Sequence, residues 1–175
     1  EKLNNIFFPK SDTNKLKRMI GTFMNCSSLE NINLQNFVTK QVEDMSLLFY
    51  NCIKLESIDL SKFNTKYVMS MHKMFANCQS ITKIDITSFN SNEVKNMKEM
   101  FYNCINLTNV KIYFTASKVI YFEKQFANCS SLSKLDLGTF QTDEAREMKK
   151  MFSGCSSLTE LNIKNFKAKK LNNES

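Results

Sequence analysis

The chain has 175 residues, 42% of them hydrophobic, with 24 Lys and Arg against 17 Asp and Glu, a formal charge of +7. With one His, three Gly and one Pro, it has little material for acid–base catalysis or a glycine-rich phosphate loop. No GxGxxG, GxxxxGK or HExxH word occurs, so a nucleotide-binding enzyme or metalloprotease is not expected, nor any other enzyme.

Six cysteines stand at positions 26, 52, 78, 104, 129 and 155, with gaps of 26, 26, 26, 25 and 26 residues. Self-similarity at such a period marks a solenoid, in which each unit buries its apolar side against its neighbours. In chain order, Leu3, Ile6 and Phe8 open a comb of apolar positions that Leu16, Met19 and Phe23 continue. From each cysteine, apolar residues follow three, six and eight places on: Leu29, Ile32 and Leu34, then Leu55, Ile58 and Leu60, then Ile81, Ile84 and Ile86, and so on to Ile163. The end of each set alternates apolar and polar residues, as a half-buried strand requires.

Between the strands, Val42, Met45, Leu48 and Phe49, then Val68, Met71, Met74, Phe75 and Cys78, then Val94, Met97, Met100 and Phe101 recur at steps of three and one. This spacing predicts one face of a short helix, which Asn64 and Thr65 are placed to cap. Asn25, Asn51, Asn77, Asn103 and Asn128 precede their cysteines and are expected at tight bends, where short polar side chains bond nearby backbone. The unit from Lys111 to Phe126 is irregular: it lacks one residue before Phe114, has Phe122 in a Met position, and has Gln125 where other units carry Met or Leu. Phe166 and Leu171 keep register to the end, and the array reads as part of a longer one.

The expected architecture is α/β: a single solenoid over residues 1–175 of about six to seven repeats, with one parallel β-sheet on one face and short helices on the other. The words MFANCQSITKIDITSFNSNEV and MFSGCSSLTELNIKNF resemble the BspA-like, Treponema-pallidum-type leucine-rich repeats, in the Phe/Met-rich version found in mycoplasma lipoproteins. The resemblance covers essentially the whole chain and is carried by core positions. It implies a leucine-rich-repeat fold and a cell-surface or secreted binding protein, several of whose relatives adhere to host or matrix proteins and to other cells. It carries over no catalytic residue.

Zinc ligands come in pairs two to four residues apart, and here each Cys is a full coil from the next. Reduced, buried thiols are therefore expected, and no metal or cofactor. His72 is expected on the outer, solvated side of a helix. The lysines are spread rather than clustered, and no aromatic-basic platform points to nucleic acid; acidic glycans or anionic surfaces are a better use of the charge. Of the NxS/T triplets at Asn25, Asn106 and Asn128, Asn106 is the most open to glycosylation. No membrane segment lies in this stretch of sequence.

A ligand is expected on the strand side, where the polar positions between core residues form columns. The candidate ligand-binding residues are Asp59, Asp85 and Asp136, with Lys111 in the same column, Lys83 and Lys134 in the preceding one, and Tyr113 in the following one. Asp59 and Asp85, one coil apart, are placed either to share a cation or meet a basic ligand, or simply as favoured strand-flanking residues of the repeat; Tyr113 beside Lys111 is the leading hot spot. The expected partner is a protein or glycan of a host, matrix or neighbouring cell. An intracellular scaffold or substrate adaptor, suited by free thiols, and an end-to-end self-associating filament are the alternatives.

Overall fold

The computed structural model describes residues 5–7, 13–167 and 169–172. Leu3 and Phe8 of the opening comb lie outside them. Six three-residue strands follow in order: β1 (Asn5–Phe7), β2 (Asn31–Asn33), β3 (Lys83–Asp85), β4 (Asn109–Lys111), β5 (Lys134–Asp136) and β6 (Glu160–Asn162). All pairs are parallel and in the register the repeat dictates: Ile6 opposes Ile32, Ile84 opposes Val110, and Leu135 opposes Leu161.

Two parts of the expected architecture are corrected. The first is the single sheet: the strands form three separate pairs, β1–β2, β3–β4 and β5–β6. Strands this short hold on few bonds, so losing one opens the ladder. At 57–59 the coil instead attaches to its predecessor through Glu56 N–H donating to Glu30 O (3.0 Å) and the Ser57 hydroxyl donating to Asn31 Oδ1 (3.0 Å). Between β4 and β5 the coil is the one that is a residue short.

The second correction concerns the α part of the class: no helix occurs among the described residues. Each segment expected to be helical is a run of three successive turns. In the third full coil, Met74 N–H donates to Met71 O, Ala76 N–H to Lys73 O and Cys78 N–H to Phe75 O, all i→i+3. The alternate amides leave the coil altogether: Met71, Lys73, Phe75 and Asn77 N–H donate to Asn96, Lys98, Met100 and Tyr102 O at 2.8–3.0 Å. A helix would keep these donors for its own i−4 carbonyls. Here they form a second parallel ladder down the back of the molecule, marked by bridges from Arg18 to Asp44, Ser70, Asn96, Tyr121 and Glu147.

The turns explain the asparagines. The third residue of the last turn in each coil's run has positive φ: Asn25, Asn51, Asn77, Asn103 and Asn128 at 59–64°, and Gly154 at 77°. An i→i+3 bond with φ > 0 at that position is the sign pattern of a type II turn, which favours Gly and Asn. Asn51 Nδ2 donates to Asn25 Oδ1 (3.0 Å) and Asn103 Nδ2 to Asn77 Oδ1 (2.9 Å), which ties successive turns together. Gly154 takes the same place in the last coil, and a Cβ there would run into Asn128 Oδ1.

Between the two ladders lies the core. Phe23, Phe49, Phe75, Phe101, Phe126 and Phe152 form one column of stacked rings with centroids 5.2–6.0 Å apart. A second column runs from Phe63 to Phe89 (6.4 Å) and, beyond the short coil, from Phe114 to Phe140 (6.1 Å) and Phe166 (6.3 Å). With Leu55, Met71, Met74, Ile81, Val94 and their equivalents fully buried, each at ~1.5–3 kcal/mol, neighbouring coils supply the stability.

The cysteines do more than fill space. Cys52, Cys78, Cys104 and Cys129 are fully buried and Cys26 and Cys155 half-buried, and all six are unpaired. Each thiol from Cys52 to Cys155 donates to the carbonyl of the Phe that opens the previous turn: Phe23, Phe49, Phe75, Phe101 and Phe126, at 3.0–3.1 Å. A small apolar residue with one donor fits this position.

Asn64 and Thr65 were expected to cap a helix, and among the described residues there is none; Thr65 and its equivalent Thr39 have another role. They staple coils: Thr65 Oγ1 donates to Asn90 O (3.0 Å) and accepts from Asn90 N–H (2.7 Å), and Thr39 does the same with Asn64. Asn64 closes its own turn by accepting from Lys66 N–H. His72 is half-buried on the back ladder, its Nδ1 3.0 Å from Lys98 O. That contact requires the Nδ1–H tautomer, and burial pushes the imidazole pKa down.

Candidate functional site

The strand side presents the expected columns. Residues at both ends of each described inner strand face solvent while the middle residue turns in, an exposed–buried–exposed pattern in β2, β3 and β5. Lys83, Asp85, Lys111, Lys134 and Asp136 are all exposed on these strands, and Asp59 is exposed at the equivalent place of its coil. Tyr113 is 68% exposed, the most exposed large apolar side chain among the described residues.

The aspartates serve the fold first. Asp59 Oδ1 accepts from Ser61 N–H (2.9 Å), Asp85 Oδ1 from Thr87 N–H (3.1 Å) and Oγ1–H (2.7 Å), and Asp136 Oδ1 from Gly138 N–H (2.8 Å). These are Asx turns that end each strand. Such bonds favour the carboxylate and hold the Asp59 and Asp85 carboxyls below their ordinary range. Asp136 also accepts from Asn162 Nδ2 (2.8 Å) one coil on.

The cations on this face are partly engaged as well. Lys111 Nζ lies 3.5 Å from Asp85 Oδ2, and Lys134 Nζ 2.6 Å from Glu160 Oε1. Both pairs are well exposed, so their attraction is weak and can be exchanged for a ligand. No group of three or more potential metal ligands occurs among the described residues, and Asp85 is turned to Lys111 and Thr87. A shallow groove crosses β4, β5 and β6 between Asn109, Lys134, Asp136 and Glu160, with Leu161 at its floor.

The sequence matches one family model twice, over residues 15–134 and 79–175; the model is described as a Mycoplasma protein of unknown function, DUF285. The chain belongs to the DUF285 family. The Phe/Met-rich, mycoplasma-type character of the repeat is thus borne out, and the molecule is a repeat scaffold. No curated protein matches the sequence. A solved structure, a leucine-rich repeat protein from Bacteroides ovatus ATCC 8483, is similar at 16% identity with a TM-score of 0.49 over 92% of this chain and 46% of its own. This chain therefore spans less than half the length of that protein.

A second surface of this DUF285 chain was not anticipated from its sequence. On the flank between the strand side and the back ladder, Tyr67 (49% exposed) and Met69 (42%) stand in the open. They line a groove with Gln41, Glu43, Asn90 and Glu93. The signal was present as Tyr and Met in columns that mostly hold Gln, Glu, Lys and Arg in other coils, but assigning Val68 to Phe75 to a helix hid which side they share.

Proposed function

We propose that this scaffold is a non-enzymatic binding protein, displayed on a cell surface or secreted, which holds a protein or glycan ligand on its strand side. The observation that carries this reading is Tyr113: an aromatic residue 68% exposed beside the exposed Lys111, on a coil fixed by β3–β4 pairing. A rigidly based aromatic contributes contact area at little entropic cost. The exposed ends of the strands surround it with adaptable polar groups: Lys83 and Asp85 on one side, Lys134 and Asp136 on the other. A binding screen of matrix proteins and glycans tests it, comparing the wild type with Tyr113→Ala and Lys111→Ala. The expected result is about a tenfold or greater loss for Tyr113→Ala and a smaller loss for Lys111→Ala, which gives up a charge already shared with Asp85. Interactions that survive both changes refute the strand-side reading.

A further inference from the structure

We propose that the flank groove is a binding site separate from the strand side and that it takes a neutral carbohydrate. Four successive coils build it. Lys17, Glu43 and Met69 succeed one another on the back ladder, with Glu43 N–H donating to Lys17 O (2.8 Å) and Met69 N–H to Glu43 O (2.8 Å). Met69 O in turn accepts from Lys95 N–H (2.8 Å) and Asn96 N–H (3.3 Å). Gln41, Tyr67 and Glu93 form the neighbouring column at the same 26-residue spacing. The groove, about 600 Å³ in volume, is within the size range of small-ligand sites and is pre-formed by backbone bonds.

Its chemistry selects the ligand. The Tyr67 ring and the Met69 thioether supply a flat apolar platform, and an aromatic ring with a polar tip suits a ligand that is apolar on one face and wet at its rim. A pyranose has that form: axial C–H groups on a face, hydroxyls at the edge. Around the platform stand planar side chains that offer both donors and acceptors. Asn90 Oδ1 is occupied by Asn92 N–H (2.9 Å), which turns its amide to donate. Gln41 is exposed and has both ends available.

Charge balance favours a neutral ligand over a charged one. The groove's cations, Lys17 and Lys66, balance its carboxylates, Glu43 and Glu93. Lys17 lies 3.5 Å from Glu43, Lys118 holds Glu93 at 2.8 Å from the adjoining coil, and Lys66 Nζ stands 5.2 Å from the Tyr67 ring centroid. A site whose opposite charges balance gives no net advantage to an anionic or cationic ligand, although the chain as a whole carries +7. Uncharged hydroxyls gain from both signs.

The test uses the intact chain and titrates maltotriose, cellotriose and mannotriose beside a heparin hexasaccharide. The readouts are saturation-transfer NMR and the shift of the Met69 methyl resonance. At least one neutral trisaccharide is expected to bind and to move the Met69 methyl. Its affinity should fall about tenfold or more, at least ~1.4 kcal/mol, in Tyr67→Ala. It should survive in Tyr67→Phe and in Tyr113→Ala, and be indifferent to added salt. Silence of all three neutral sugars overturns the proposal, as does binding that ignores Tyr67→Ala or favours heparin with a salt dependence. If Tyr67→Ala misfolds by circular dichroism, the Met69 methyl of the wild type still decides. Since Tyr113 serves only the strand side, its variant separates failure of one site from failure of the other.

Discussion

Gln125 is the one residue among those described whose buried side chain keeps an unsatisfied polar atom, and replacing it should strengthen the whole array. It is fully buried in the column that elsewhere holds Leu48, Met74, Met100 and Met151, and its Oε1 has no hydrogen-bond donor among the described residues. Its Nε2 reaches only Met97 Sδ, at 3.7 Å, a weak acceptor. A buried polar atom left unsatisfied costs ~1–3 kcal/mol, and a soft bond to sulfur offsets less than an ordinary one. Methionine has nearly the same length and already occupies this place in three other coils, as Met74, Met100 and Met151. Gln125→Met should therefore stabilise the chain by ~1–2 kcal/mol, raising the melting temperature of a domain this size by ~2–8 °C. Urea denaturation gives the total. Amide hydrogen exchange should place the gain in the coils around Phe126 and Cys129, because in a solenoid each unit is stabilised by its neighbours. An unchanged or lower urea midpoint would refute the reasoning and show that the amide oxygen is satisfied.

Two other perturbations test the inter-coil bonds. Thr65→Val keeps the shape of a side chain that is only 2% exposed but leaves both the N–H and the C=O of Asn90 without their partner. It should cost ~1–3 kcal/mol in a urea titration, against less than ~0.5 kcal/mol for Thr87→Val on the surface; equal losses would contradict the staple. Burial pushes the Cys52 thiol from 9.0 up to about 12, so the unfolded chain gives up this proton first. The linked stability is complete below pH 9 and is lost as the pH rises toward 12. Burial moves Cys78, Cys104 and Cys129 the same way. Urea midpoints should fall between pH 8 and pH 10.5, and in native protein a thiol reagent should label Cys26 and Cys155 before the other four. Uniform labelling, or a flat midpoint, would show that the thiols are accessible.

The repeat, its register and its inward residues were legible because burial leaves a direct trace: each cysteine marks a coil, and Ile6, Ile32, Ile84 and Val110 fall where their spacing puts them. The backing was misread for a definite reason. Turns closed by i→i+3 bonds bring Met71, Met74 and Phe75 inward at steps of three and one, the same steps that one face of a helix shows. What separates the two is the fate of the amides, and apolar spacing is blind to it. The asparagines held the clue: a residue tolerant of positive φ every 26 positions, just before each Cys, belongs at a turn and has no reason to recur inside a helix. Lys73, Glu99, Lys124 and Lys150 give no such sign, although they too adopt φ of 52–57°. For these residues the left-handed conformation costs ~1–2 kcal/mol each, and the inter-coil bonds of the ladder impose it.

That correction alters where ligands can be held. A helix-backed solenoid must space its coils on the back by a helix diameter, ~10 Å, and only its strand side brings equivalent residues of several coils close together. With a second parallel ladder, the back and flank also advance by about a strand spacing, ~4.8 Å per coil. Lys17, Glu43 and Met69, on three successive coils, then lie within ~10 Å of one another. A groove the size of a short oligosaccharide can therefore form away from the strands. Substituting helix-favouring residues for Asn51 and Asn77 would not create the expected helices, because the amides of Asn51 and Asn77 remain committed to the carbonyls of Ala76 and Tyr102. Those bonds between coils, more than the propensity of any one segment, decide the shape of every surface the molecule offers.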